Sequence, residues 1–287
     1  MVDVVVIGGC NFDIKAKSTE ANKLGTSNPG TVITSAGGVA RNIAHNLARL
    51  GAKVALISAV GRDAMGDSVL ETTRAAGVDI SRVKRVAGVT GTYIAILDRN
   101  GELITAMNDM QAIERLTPDV IQANADILSL ARFVVADCNL PLASLHNIAD
   151  IARDKLLIEP VSIPKSLKLF KLLEAGPIAY TTPNFDQIEA LAGIREIERA
   201  IAFLHGKGLR SASIHAGPEG AFCSDGKEIS HIAAMPAGPV VDVTGAGDGA
   251  VAGLVYGLLQ GKPLVDAVAE GQKLAGRIVA SERSFLE

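Results

Sequence analysis

The chain has 287 residues, 48% of them hydrophobic and 21% charged, and a formal net charge of −3. This exceeds a typical single-domain length but suits one large α/β unit, and with no Trp, three Tyr and seven Phe its core is aliphatic, as in a parallel sheet covered on both faces. The slightly acidic balance excludes a broad phosphate-backbone footprint, so nucleic acid is not an expected partner, whereas a small phosphorylated ligand can still be held at a helix N-terminus.

Taken in chain order, the opening "MVDVVVIGGC" lacks a basic segment followed by a long apolar stretch and a cleavage site, and reads as a first strand. No apolar run reaches transmembrane length, so the expectation is a soluble cytoplasmic protein without a membrane partner. Further apolar runs at 53–61, 132–137, 155–160, 177–182 and 211–217 alternate with helix-period segments. In 38–50, Val39, Ile43, Leu47 and Leu50 share one face and Gly51 supplies the stop. The segment 117–130 opens with Thr117-Pro118-Asp119, a capping residue, a first-turn proline and an acidic residue. Strands alternating with helices predict a doubly wound αβα sheet in one domain over 1–287. Cys10, Cys138 and Cys223 form no CxxC pair and read as buried thiols.

Two regions break the rhythm. Residues 13–35 are polar with β-prone ends, and 88–110 contain "TYIAILDRNGELITAMND", where Asn100-Gly101 signals a hairpin. Together they predict a small β sheet beside the main domain, which reads equally as a cover for a site, an oligomer contact or a surface ornament.

The stretch with the most chemistry is "VVDVTGAGDGAVAGLVYGLLQG", residues 240–261. Gly245-Ala246-Gly247 turns a strand into an apolar helix, and backbone amides converging at a helix start suit a phosphoryl group. Asp248 would repel such an anion, and makes sense as the acceptor of a proton from an incoming hydroxyl. An ordinary carboxylate pKa near ~3.9 would leave it ionised at neutral pH. Alone, the pattern reads equally as a helix cap with close packing. A second glycine pair, Gly37-Gly38, opens the helix carrying Arg41 and Asn42, whose amide can address sugar hydroxyls. "GGCNFD" puts Asn11 and Asp13 just beyond the first strand, at the carboxyl edge where ligands of open α/β sheets gather.

"GGVARNIAHNLARLG" together with "DVTGAGDGAVAG" resembles the ribokinase-like, PfkB-type carbohydrate and nucleoside kinases, and the resemblance runs nearly end to end. It implies an αβα domain with a β lid formed by about 13–35 and 88–110, ATP as phosphoryl donor and magnesium on its phosphates. It also implies Asp248 as catalytic base, Gly245, Ala246 and Gly247 as the anion hole, and Asp13, Asn11, Gly37, Gly38, Asn42 and Arg41 toward the acceptor. On the nucleotide side it implies Asn184, Gln187, His215, Gly217, Gly220 and Thr244, with a monovalent cation, K+, near Asp242 and Thr244. If the insertions serve as an oligomer contact, the expectation is a homodimer paired through the lid. "GGVARN", "NDMQAIERLTP" and "EPVSIPK" point within the family to a nucleoside acceptor, pseudouridine ahead of ribose, fructose or adenosine, with Asn108 offered to the base.

Two positions depart from the family pattern. "TTPNFDQIEAL" has Gln187 where a glutamate is usual, which removes a charge near magnesium, and His215 stands where a small hydroxyl residue is common. His215 reads equally as a phosphate contact and as a packed rim residue. Rival readings are weaker: "VVVIGG" opens like a dinucleotide-binding strand but lacks GxGxxG, and no GxxxxGK[ST] occurs. A nucleoside-binding sensor without turnover fits Gln187 but not the complete glycine turn with Asp248.

Overall fold

The structure, a computed structural model, describes residues 2–281 and 283–286. Strand β1 (Val4–Ile7) passes into the hairpin β2 (Asn11–Ser18) and β3 (Gly30–Gly37), then through helix α1 (Val39–Arg49) to β4 (Val54–Ile57). A short β5 (Ala59–Gly61) follows, then α2 (Ala64–Ala75), β6 (Lys84–Val86) and a second hairpin, β7 (Gly91–Leu97) with β8 (Leu103–Asp109). Next come α3 (Pro118–Gln122), α4 (Ala125–Leu130), β9 (Phe133–Asp137), α5 (Leu142–Ala152), β10 (Leu156–Glu159), α6 (Ile163–Ala175) and β11 (Ile178–Thr181). Helices α7 (Phe185–Ala192) and α8 (Ile197–Gly206) lead to β12 (Leu209–His215), β13 (Ala221–Ser224) and β14 (Ile229–Ile232), and then to the pair α9 (Ala246–Leu259) and α10 (Leu264–Val279).

The main sheet has the order β14-β13-β12-β11-β10-β9-β1-β4. It is parallel from β4 to β12, and its other edge is the antiparallel hairpin β13–β14, which apolar periodicity alone did not single out. Strand alternation divides the core in two. Val5 and Ile7 face the helices from α3 to α8, while Val4 and Val6 face α1, α9 and α10. All three cysteines are buried free thiols. Among the described residues no helix is long and apolar enough to cross a membrane.

Two expected elements are divided. The run 53–61 leaves the main sheet after β4: Ser58 donates its hydroxyl to the Gly8 carbonyl at 2.6 Å, and β5 pairs with β6 instead. The expected helix over 117–130 breaks into α3 and α4. Asn124 turns its amide back to the Val120 carbonyl at 2.8 Å, a local bond that competes with helix continuation. Thr117 makes no side-chain cap there.

The two interruptions form a second sheet, β3-β2-β7-β8: the β2–β3 hairpin leaves directly after β1 and runs into α1, and the β7–β8 hairpin lies between β6 and α3. In register, Asn11 lies opposite Gly37 and Gly91, and Asp13 opposite Ser35 and Tyr93. The period of two places Asn11, Asp13 and Lys15 on one face of β2. At the β7–β8 turn, Asp98 accepts from the amides of Asn100 and Glu102, and Gly101 adopts φ +91°.

Helices α9 and α10 meet through small residues. Gly249, Gly253 and Gly257 recur every fourth position along α9, and a Cβ at Gly253 would lie 2.6 Å from the Glu270 carbonyl oxygen. Gly253→Val is therefore expected to force the two helices apart and cost about 1–3 kcal/mol or more, read from denaturant unfolding. Gly206→Ala, where nothing lies within 4 Å, should be neutral or stabilising in the same measurement.

Candidate active site

The carboxyl ends of β1, β9, β10 and β12 converge on the starts of α1 and α9. Asp137, at the end of β9, is buried and joins three chain segments: its carboxylate accepts from the amides of Gly9 at 2.8 Å, Ala40 at 3.0 Å and Asn139 at 2.9 Å. Gly8, with φ +149°, is required because any side chain there would fall on the Asp137 carboxyl. This anchor sets the start of α1 beside the first strand, and with it Asn42.

Two cavities of about 290 and 370 Å³ open on this edge, and Val39, Val161 and Asp248 line both. The first also takes Asn11, Asp13, Gly38, Asn42, Tyr93 and Lys165. The second takes Glu159, Asn184, Gln187, His215, Gly217, Gly220 and Gly247. Val161 holds the left-handed φ of +69°, strained for a β-branched residue, in the wall between them.

Asp248 stands in the first turn of α9, half-buried, and accepts a hydrogen bond from the Asn42 amide at 2.8 Å. Gly245 precedes the helix at φ +82°, pressed against the Ser284 carbonyl, so no side chain fits. Gly247 has open space around its Cα, while the Ala246 amide already turns to the Val243 carbonyl at 3.3 Å. The amides of Gly247 and Asp248 thus remain at the positive end of α9.

Four residues lie elsewhere than the sequence suggested. Arg41 is fully buried behind the first cavity, donating to the Thr73 hydroxyl at 3.0 Å and to the Asn42 side-chain Oδ1 at 3.1 Å, close to His45 and over the Phe285 ring. It orients the Asn42 amide toward Asp248 and does not line the acceptor side. Gly37 likewise lines neither cavity; its missing side chain leaves room for the Asp13 carboxylate. Asn108 sits opposite Tyr93 on β8, exposed and outside the cavity lining. Thr244 lines the first cavity, not the second, and donates its hydroxyl to Asp242 at 2.6 Å.

Gln187 closes a reciprocal cap with Asn184: its Oε1 accepts from the Asn184 amide, and the Asn184 Oδ1 from the Gln187 amide, both at 2.9 Å. The amide side chain that replaces the usual carboxylate thus secures the start of α7. His215 has its Nε2 buried without a hydrogen-bond partner, and burial lowers its pKa to about 4, which keeps the ring neutral. Sequence reasoning missed Asp137, Asn139, Lys165 and Tyr93. "EPVSIPK" at a strand end was the available signal for Lys165, whereas Asp137 sits in an ordinary apolar strand run.

The site is dominated by carboxylates. Burial raises Asp248 well above the ordinary range, and Glu159, Asp137 and Asp13 add repulsion that the Asn42 bond only partly offsets. The expectation of an ordinary pKa for Asp248 is therefore corrected. Burial likewise pushes Asp13 up to about 6, against Lys15 and Asn11, and Glu159 up to about 7, against bonds from Thr182 and the Val161 amide. Asp242 goes the other way: burial opposes ionisation, but Lys15 and Thr244 together hold it below the usual range. A carboxyl raised on folding stabilises below its unfolded pKa and loses that contribution as pH rises. Glu159→Gln should accordingly gain thermal stability relative to the parent chain between pH 4.5 and about 7, the interval of the Glu159 shift, as read by unfolding midpoints across that range.

The pfkB family carbohydrate kinase description matches residues 1–284. An Escherichia coli protein named as the uncharacterized sugar kinase YeiI is 36% identical over 92% of this chain and 74% of its own length. The pseudouridine kinase of the same organism is 34% identical over 97% of this chain and 91% of its own. A structure of Arabidopsis thaliana ribokinase complexed with ribose and ATP shares the fold, with a TM-score of 0.87 at 23% identity over 99% of this chain and 94% of that one. With a ribokinase-like α/β fold and a family match across almost its whole length, the chain belongs to the PfkB family of carbohydrate kinases.

Proposed function

We propose that this kinase transfers the γ-phosphoryl group of ATP to the 5′-hydroxyl of pseudouridine, with Asp248 as the base. The observation that carries the reading is the position of the Asp248 carboxylate in the wall of both cavities, which puts one proton acceptor within reach of two ligands. The acceptor occupies the cavity of Asn11, Asp13, Gly38 and Asn42, where Asp13 takes adjacent sugar hydroxyls and Asn42 both fixes Asp248 and meets the sugar. Tyr93, Met110 and Ile113 supply apolar surface for a base, and Lys165, hydrogen-bonded to Asn139 at 2.5 Å, supplies donors for its carbonyl oxygens. The similarity to pseudouridine kinase over 97% of the chain supports the same acceptor.

ATP lies in the second cavity with its terminal phosphate on the amides of Gly247 and Asp248, while Gly217, with nothing within 4 Å of a Cβ, leaves the backbone near His215 open to the nucleotide and Gly220 is packed against the Ile232 carbonyl. Magnesium carried by ATP would neutralise phosphate charge there; among the described residues no group of three or more His, Cys, Asp or Glu side chains converges as a metal cage, and Glu159 and Asp248 are the carboxylates of this cavity lining that would face it. As the acceptor oxygen closes on phosphorus, Asp248 takes its proton late, and the raised proton affinity of the carboxyl favours that step.

A coupled ADP-release assay over nucleosides and sugars tests the reading. Preferred turnover of ribose or fructose would replace it with the sugar-kinase reading that the YeiI similarity favours, and tight nucleoside binding without ADP release would make the protein a sensor. Asp248→Asn should lower kcat by about 10²–10⁴-fold with ATP binding retained. The parent activity should fall with decreasing pH through a limb above the ordinary carboxylate range, because the base must be ionised to accept a proton and its pKa is raised.

The second sheet serves as the lid in this reading. Its face away from Asn11 and Asp13 exposes Val32, Ile94 and Met107, and we propose that this apolar face pairs with a second copy of the chain. Met107→Glu is expected to shift the sedimentation coefficient from dimer to monomer; an unchanged monomeric value in the parent protein removes this pairing.

A further inference from the structure

The face of β2 that presents Asn11 and Asp13 to the acceptor cavity continues to Lys15. Its ammonium lies on Oδ2 of Asp242 and donates to the Thr244 hydroxyl at 3.2 Å, joining positions 227 residues apart. The other Asp242 oxygen accepts from the Thr244 amide at 2.8 Å and from its hydroxyl at 2.6 Å, which shapes the chain just ahead of Gly245. One Asp242 oxygen therefore forms the turn and the other is taken by a cation belonging to the chain. The family resemblance expects K+ near these same residues. The residues present do not fit it: a second monovalent cation on this carboxylate would face the Lys15 charge at contact distance.

We propose that Lys15 is the monovalent cation of this enzyme, an internal ammonium that holds the phosphate-binding turn in shape and ties it to the strand carrying Asn11 and Asp13. Both groups are part-exposed, at 28% and 29%, so added cations can reach the carboxylate if Lys15 is removed. Lys15 touches neither reacting atom and acts as a positioning residue. Because the contact runs from β2 to the turn ahead of Gly245, it ties the strand of the acceptor cavity to the phosphate-binding turn.

The inference rests on the kinase reading but not on the identity of the acceptor, so the assay uses whichever acceptor the parent enzyme turns over. Rates are compared in KCl, ammonium chloride and choline chloride at fixed ionic strength. The parent enzyme should respond to K+ by less than about twofold, whereas Lys15→Met should lose about tenfold or more in kcat in choline and recover in K+ or ammonium. Lys15→Arg should keep most of the parent rate in choline. Thermal midpoints give a readout without turnover: KCl should raise the midpoint of Lys15→Met above its value in choline and leave the parent unchanged, even if no acceptor in the panel is phosphorylated. Strong K+ activation of the parent enzyme, or a Lys15→Met variant that is fully active in choline or unrescued by either cation, overturns the proposal.

Discussion

The structure depends on one buried carboxylate. Asp137 takes no part in either cavity's lining, yet its oxygens gather the amides of Gly9, Ala40 and Asn139 from three separate segments. A carboxylate at the start of a helix is favoured by the unpaired amides and by the dipole there. The result is a fixed distance between the first strand and α1. From α1 the order passes outward: Arg41 is held by Thr73, it orients the Asn42 amide, and Asn42 grips Asp248. The carboxylate that faces both cavities is thus positioned through a chain of buried and part-buried polar contacts that runs back to Thr73 on α2.

The same concentration of acids defines the chemistry of the cleft. Asp13, Asp137, Glu159 and Asp248 all have proton affinities raised first of all by burial, and Asp248 further by its acidic neighbours. A site of this kind is poised for ligands that bring donors and positive charge with them, such as sugar hydroxyls and a metal-bound polyphosphate. His215, neutral and with an unpaired buried nitrogen, fits an acceptor or donor role there better than that of a permanent cation.

Much of this was legible in the chain itself, for physical reasons that differ by element. The glycine turn before α9 could be read because close backbone approach and a left-handed residue at Gly245 leave few alternatives to glycine. Asn11 and Asp13 could be singled out because they come soon after the first strand, although they prove to lie within β2, and Asn42 because it sits in the first turns of α1. Arg41 was misplaced because a helix start lists its first-turn residues without saying which way each turns, and only the packing of Thr73 and Phe285 decides that. Gln187 looked like a weakened metal contact; its partner proved to be the amide of Asn184, a local bond that spacing alone offers equally to many polar residues. The contact of Lys15 with Asp242 was out of reach because the two residues meet only once the second sheet folds back.

Val161 is a small feature with a broad effect. A valine forced into a left-handed conformation stores of the order of 1–3 kcal/mol of strain, and glycine or asparagine would sit there at less cost. What those residues lack is the pair of methyl groups that stands between the two compartments. The backbone tension is the accompaniment of an apolar partition, one that has the two chambers sharing an acid and the two valines beside it.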